Sequence, residues 1–290
     1  MGKIKVSEFN MQYTVESAQP PTFFGSISKN AKSITYPTKT AQIEVNQHSD
    51  YLSYKSVPKK SDSALNKEVM ERFGLHDDME RIYREIATDK FIVESIAKYP
   101  GMRVTKNEPW ETTVCFITSQ FNNVKRIRGI VGKLVENYGE LHSVEVGGEW
   151  QSFRSFPTPE ALAGISVKEM MKKCGTGFRA KYIIGSARMC AESFDLNKLH
   201  KKDYVSAKEE LMELPGIGDK VADCILLMGY KKHEAFPVDT WIKRIVERVY
   251  FNGRKQSIKT IHKFADERWP KNQGYAQQYI FWHGRSLKLS

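Results

Sequence analysis

No stretch of about 18 apolar residues occurs that could cross a bilayer. The opening residues, MGKIKVSEFNMQYTVES, hold no apolar segment of secretory-signal length. MGKIKV also fails the myristoylation pattern, having Val6 where Ser or Thr is required. A soluble intracellular protein with no membrane partner is expected. Cysteine is scarce: Cys115, Cys174, Cys190 and Cys224 are widely spaced without a CxxC, which excludes a zinc ribbon and a disulfide framework. Internal repeats and low-complexity tracts are absent. Acidic residues are outnumbered, 34 against 45 Lys and Arg, and the net charge of +11 suits a surface that meets polyanions. Charge alone decides little, since many basic proteins bind nothing acidic. What is present is 290 residues with 40% hydrophobic content, enough to bury a large core and to exclude a disordered or fibrous chain.

Up to about residue 60, short β-branched and aromatic runs (TFFGSI, KSITY, TAQIEV, DYLSYKSV) alternate with Pro, Asn, Ser and Lys clusters, predicting an antiparallel β region. Residues 58–68 (PKKSDSALNKE) read as a polar connector. After Asp77 the apolar spacing becomes three and four, beginning with DDMERIYREIA and DKFIVESIAKY. Further helices are predicted at 109–120, 123–138, 166–174, 178–194, 206–213, 218–229, 239–250, 257–268 and 274–287. Residues 139–160 and 196–204 read as loops.

Chemistry concentrates in LMELPGIGDKVADCILLM at 211–228, which has the form of a helix, a tight glycine-containing hairpin and a second helix. Gly216 and Gly218 permit a sharp turn and close backbone approach. Leu211, Leu214, Ile217, Ile225 and Leu226 supply apolar contacts, and the small Ala222 lets the helices pack closely. Such a hairpin aims unpaired N–H groups at a phosphate without touching a base edge, so it grips DNA regardless of sequence. An ordinary helix pair with a glycine turn is the competing reading. Pro215 and the two glycines favour DNA.

Downstream, in FPVDTW at 236–241, Asp239 stands at the N-cap of the next helix. Asp before a helix caps far more often than it catalyses, and an isolated lysine such as Lys220 is usually a solvated surface residue. Their combination on a DNA-anchored hairpin changes that weighting. An amine that attacks a sugar C1′ must be partly neutral, and a helix N-terminus beside other cations gives Lys220 reason for a lowered pKa. A nearby carboxylate would stabilise the positive sugar that forms as a base departs.

These motifs resemble the helix-hairpin-helix Gly/Pro-Asp superfamily of DNA glycosylases and, within it, the 8-oxoguanine DNA glycosylase/AP lyase family. The resemblance extends to SAQ at 17–19, PW at 109–110, FITSQFNNVKRIRGIVGKLVENYG at 116–139, FPTPEALAG at 156–164, GFRAKYIIGSAR at 177–188 and YAQQYIF at 275–281. It implies an α+β fold: a small antiparallel β N-terminal domain (1–76), a helical domain carrying the hairpin (77–106 and 181–290), and a second helical sub-domain (107–180). It also implies a monomer acting on double-stranded DNA containing an oxidised purine, with the damaged nucleotide flipped out.

Carried over residue by residue, Lys220 would be the Schiff-base nucleophile and Asp239 would assist its attack and the later β-elimination. Phe281 and Cys224 would stack on the extruded base, Gln277 would bond its Watson–Crick edge, Met228 would line the pocket, and the Ala18 carbonyl would accept a hydrogen bond from the lesion's extra N7–H. Arg126 and Arg179 would read the base left behind, and Phe178 would be the wedge that fills the vacated space. Asn122, Asn123, Gly216, Gly218 and Trp241 complete the implied DNA contacts. Without the resemblance, Phe281, Cys224 and Met228 would be read as core filling.

The sequence departs from the family at several positions. Phe121 stands where an Asn usually helps recognise the estranged cytosine, and it cannot supply the same hydrogen bonds, so weaker selectivity for cytosine opposite the lesion is expected. Ala18 replaces a usual glycine, and Trp241 a histidine that commonly contacts phosphate. No cofactor is expected: superfamily relatives with iron–sulfur clusters use four closely spaced cysteines near the C-terminus, whereas the last cysteine here is Cys224. Two other readings remain open, a superfamily glycosylase for another lesion such as oxidised pyrimidines, and a non-enzymatic DNA-binding module.

Overall fold

The computed structural model describes residues 2–289, apart from the side chains of Pro21 and Thr22. Five antiparallel strands form the N-terminal sheet: β1 Gly2–Lys5, β2 Ser26–Ile27, β3 Ser33–Pro37, β4 Gln42–Gln47 and β5 Tyr51–Val57, in the order β1-β5-β4-β3-β2. Alternation sets the register. Ile34 pairs with Val45, Tyr36 with Ile43, and Val45 with Tyr54, so one face is continuously apolar. Helix Asp62–Arg72, with Leu65 and Val69 buried, closes that face together with Phe73 and forms a small core of its own. The supposed polar connector is therefore largely helical. Ser61 caps it by accepting from the Ala64 N–H, and its apolar residues are spaced by four, a signal obscured by the lysines around them.

A mostly helical body follows, with a second, larger core. The helices predicted between 109 and 287 are present with ends shifted by at most a few residues, among them Pro109–Ser119, Asp219–Tyr230 and Gln273–Ser286. Asp78, Asp89, Asn123, Ser166, Asp203 and Ser257 each cap a helix by accepting the N–H three residues on. The first two helices after Asp77 are Met79–Ile86 and Lys90–Lys98. The α+β expectation holds.

Both predicted loops need correction. Residues 139–160 contain a hairpin, β6 Leu141–Val146 with β7 Glu149–Arg154, turning at Gly147 and Gly148, both with positive φ. It is exposed along most of its length, so its weak apolar alternation gave no strand signal. Within 196–204, Leu196–Lys201 forms a 3-10 helix that buries Leu196 and Leu199. Two short helices, Met11–Glu16 and Pro21–Phe24, also interrupt the N-terminal strands.

Two polar clusters join sheet and body. Buried Arg72 donates to Asn107 Oδ1 (3.0 Å) and Glu111 Oε2 (3.3 Å). The Asn107 backbone N–H in turn donates to the Met228 carbonyl (2.8 Å). Arg103 donates to the carbonyls of Ser7, Glu8, Gly74 and Asp77. The segment 99–108, between helices Lys90–Lys98 and Pro109–Ser119, and the end of helix Asp219–Tyr230 are thereby fixed relative to each other.

Candidate active site and DNA interface

The hairpin forms between helix Tyr204–Leu211 and helix Asp219–Tyr230, with Leu211, Leu214, Ile217, Ile225 and Leu226 buried as predicted. Gly216 adopts φ +81°, and a Cβ there would lie 2.5 Å from the Tyr182 ring. Its carbonyl accepts from Gln120 Nε2 (2.9 Å). Gly218 is different: its φ is −101°, open to any residue, and a Cβ would meet nothing within 4 Å. The expectation that both glycines serve the turn holds only for Gly216. At Gly218 the glycine leaves open space above a helix N-terminus. The backbone N–H groups of Gly218, Asp219 and Lys220 have no hydrogen-bond partner among the described residues.

Lys208 clamps the two helices, its Nζ lying 2.8 Å from both Asp219 Oδ1 and Asp223 Oδ1, and Tyr204 donates to Asp223 (2.6 Å). Asp219, Asp223 and His262 form a cluster of metal-ligand types, but the Lys208 ammonium already supplies a cation to both carboxylates. Among the described residues no group of cysteines approaches a metal-binding arrangement.

Beside the hairpin opens a cavity of about 280 Å³. Ala18, Asn122, Asn123, Lys220, Cys224, Met228, Asp239, Trp241, Gln277 and Phe281 all line it, although they come from segments spread over most of the chain. Arg126, Phe178, Arg179, Gly216 and Gly218 lie outside the lining. Lys220 and Cys224 sit one turn apart on helix Asp219–Tyr230, with Lys220 Nζ 5.5 Å from the centre of the Phe116 ring. Asp239 caps helix Thr240–Tyr250, its Oδ1 accepting from the Ile242 N–H at 2.7 Å. Its other oxygen has no hydrogen-bond partner among the described residues.

The charge state of Lys220 corrects the sequence reading. Burial pulls its pKa down, but the Cys224 sulfur and the Asp239 carboxylate outweigh that, and the net direction is upward. Burial pushes the Cys224 thiol up to about 11 despite Lys220. The upward causes are Cys224, one turn along the same helix, and Asp239, at the N-cap of the next.

Helix Gln273–Ser286 forms the opposite wall. It packs tightly because Gly284 faces Ile245, where a Cβ would come within 2.5 Å of the Ile245 side chain. Gln277 is almost fully buried, donating to the Pro237 carbonyl (3.2 Å) and accepting from Gln278 Nε2 (2.7 Å). These two bonds fix which end of its amide faces which way. Gln278, Phe23, Phe116 and Arg285 also line the cavity and went unnoticed in the sequence. Arg285 was findable, since 277, 281 and 285 repeat every four residues along one helix face.

Ala18 has φ +60°, the left-handed region that explains why glycine suits this position. The strain is held by Gln19, fully buried, whose Nε2 donates to Thr14 O, Ser17 Oγ and Arg103 O while its Oε1 accepts from the Thr105 N–H (2.7 Å). The substitution therefore leaves Ala18 in a glycine-like conformation at the cavity wall.

Next to the cavity, Phe121 is 94% exposed with φ +46°, and its ring meets that of Phe178 edge-on at 6.4 Å. Arg179 is not a solvated charge. Its guanidinium is buried, donating to the carbonyls of Gln120, Phe121 and Thr176 and lying over the Phe178 ring. Burial lowers its pKa, with Arg126 adding to the effect. Arg126 itself is exposed. Asn123 caps helix Val124–Tyr138 by accepting from the Arg126 N–H (3.0 Å), and Asn122 donates to the Thr118 carbonyl (3.1 Å).

Comparison with known proteins agrees with this architecture. Residues 2–113 match the model of the 8-oxoguanine DNA glycosylase N-terminal domain, and residues 114–271 that of HhH-GPD superfamily base excision DNA repair proteins. A probable N-glycosylase/DNA lyase of Methanothermobacter thermautotrophicus is 32% identical over 255 residues, covering 81% of this chain and 79% of that protein. The N-glycosylase/DNA lyase of Saccharomyces cerevisiae is 32% identical over 68% of this chain, which spans 55% of the yeast protein's length. Among solved structures, MBOgg1 with a low-affinity DNA ligand superposes with a TM-score of 0.88 at 30% identity, covering 99% of this chain and 96% of that one. The 8-oxoguanine glycosylase/lyase of Clostridium acetobutylicum, bound to double-stranded DNA with cytosine opposite 8-oxoguanine, gives 0.87 at 26% identity over 98% and 94%.

Proposed function

The chain belongs to the 8-oxoguanine DNA glycosylase family of the HhH-GPD superfamily, and from that membership we propose how its own residues excise 8-oxoguanine and then cut the strand. It is a bifunctional DNA glycosylase and AP lyase that acts on double-stranded DNA inside the cell. One observation carries the assignment of roles: Lys220 and Asp239 are the one lysine and the one carboxylate among the described residues lining the cavity beside the hairpin.

In a stacked duplex the C1′ atom is beyond reach of a cavity side chain, so the damaged nucleotide must be extruded into it. Unpaired amides at Gly218–Lys220 hold a backbone phosphate while this happens. Lys220 starts as an ammonium and must lose a proton before attack; the free oxygen of Asp239 is the acceptor at hand. The neutral amine then forms a bond to C1′ as the C1′–N9 bond breaks, and the base leaves with that electron pair and takes up a proton. Asp239 passes the proton it took from Lys220 to the departing base and, a carboxylate again, stabilises the positive charge that develops on the sugar. Ring opening gives a protonated imine between Lys220 and C1′. Transfer of a C2′ proton to the Asp239 carboxylate then expels the 3′ phosphate and cuts the strand.

Phe281 offers an aromatic face to the extruded base, Cys224 and Met228 the opposing apolar wall, and Gln277 an amide whose orientation Gln278 fixes. The Ala18 carbonyl is the acceptor for the N7–H that distinguishes 8-oxoguanine from guanine. We assign no iron–sulfur cluster to this chemistry, because the four cysteines are dispersed and Cys224 stands beside Lys220. The test is borohydride reduction of the protein with a duplex containing 8-oxoguanine, which should give a covalent adduct. An adduct only with an oxidised pyrimidine would change the substrate. Salt-sensitive binding with no adduct would make the chain a binding protein.

A further inference from the structure

Arg285 closes the row formed by Gln277 and Phe281 on helix Gln273–Ser286 and lies at the cavity with Trp241. Its guanidinium carbon is 5.2 Å from the centre of the Phe281 ring and 5.6 Å from that of Trp241. Buried Arg72 and Arg179 spend their donors on protein oxygens, and Arg268 pairs with Asp89. Arg285 makes no side-chain hydrogen bond or ion pair to any described residue. Stacking on aromatic faces fixes the plane of a guanidinium and leaves its edge N–H groups free, the geometry that suits two oxygens of one anion.

Asp239 lines the same cavity yet forms no ion pair with Arg285, so the guanidinium is left for a ligand rather than neutralised by the protein. A nucleotide whose base enters between Phe281 and Cys224 brings its flanking phosphates to the rim where Trp241 and Arg285 stand. Apart from Lys220, Arg285 is the one cation among the described residues lining this cavity. We propose that Arg285, held over the rings of Trp241 and Phe281, binds a phosphate flanking the extruded nucleotide and stabilises the extruded state before chemistry. It is a binding residue for the flipped nucleotide, distinct from the hairpin amides that grip the duplex. This inference rests on the base-extruding reading given above.

The test measures affinity for a duplex carrying one tetrahydrofuran abasic analogue, against an undamaged duplex, by fluorescence anisotropy. Arg285→Met, which keeps an unbranched apolar chain over the two rings, should weaken binding to the analogue duplex about tenfold, the scale of one charge-assisted contact, with a smaller loss on undamaged DNA. Single methylphosphonates at the flanking phosphates then locate the contact. At one position, removing the phosphate charge should cost the wild type about tenfold and Arg285→Met almost nothing more, a non-additive pair. Unchanged affinity of Arg285→Met, or additive losses at every flanking phosphate, would overturn the proposal while leaving the glycosylase reading intact. A wild-type protein that neither prefers the analogue duplex nor forms a borohydride adduct would overturn both.

Discussion

Substituting the two hairpin glycines separately should divide folding from DNA binding. Gly216→Ala forces a side chain into φ +81° and sets its Cβ 2.5 Å from the Tyr182 ring. Left-handed backbone costs an L-residue about 1–2 kcal/mol, and relieving the overlap about 1–3 kcal/mol more. The expected destabilisation is therefore about 2–5 kcal/mol. Gly218→Ala meets open space at φ −101°, and exchanging glycine for alanine at an N-cap costs under about 1 kcal/mol. Its methyl group instead occupies the approach to the unpaired amides at Gly218–Lys220. Loss of one hydrogen bond to a charged phosphate, about 1.5–3 kcal/mol, corresponds to about tenfold to hundredfold weaker DNA binding. Urea unfolding and anisotropy titration at fixed salt measure the two effects. A Gly216→Ala protein with the wild-type urea midpoint, or a Gly218→Ala protein with wild-type DNA affinity, would refute the division of labour.

Other substitutions probe other links. Asp239→Asn retains a good N-cap, so stability should change by less than about 1 kcal/mol while single-turnover excision falls about a hundredfold or more; an unchanged rate would reduce Asp239 to a cap. Phe121 offers a ring where hydrogen bonds would select cytosine, so excision opposite C and A should differ by less than about tenfold, and Phe121→Asn, also suited to φ +46°, should widen that ratio. Strong cytosine selectivity in the wild type would contradict this. Asp77 is held below the usual carboxylate range: burial opposes its ionisation, but Lys231 and a 2.6 Å hydrogen bond from Tyr275 outweigh it. Its contribution is present above the unfolded pKa of 3.8 and is lost as pH falls through the lower folded value. Asp77→Asn should thus destabilise by about 3–5 kcal/mol at pH 7, and the gap in urea stability should shrink below pH 3.8. A gap independent of pH would show that charge is not the cause.

The helical body was legible because its apolar spacing and capping residues agree, as at Asn123, Ser166 and Ser257. The exposed hairpin at 141–154 and the helix at 62–72 were not, since one has no buried face to impose alternation and the other carries its apolar residues among lysines. Within the site, Lys220 and Asp239 could be singled out from local context and family resemblance. Their electrostatic relation could not, because the upward pull on Lys220 comes from Cys224 together with a carboxylate that only the tertiary fold delivers. Arg179 shows the same limit: its three carbonyl acceptors lie on loops whose approach no local pattern encodes. Gln19 and Gln278 orient neighbouring groups through buried hydrogen bonds, and nothing in their neighbours announces that.

Lys220 as the attacking amine is tested most directly by borohydride trapping of wild type and Lys220→Gln on the same 8-oxoguanine duplex. The wild type should yield a stable protein–DNA adduct and a cut strand, and Lys220→Gln should yield neither while still binding the duplex within about threefold of wild type, since the hairpin amides remain. An adduct of equal yield from Lys220→Gln would assign the chemistry to another amine and contradict the account.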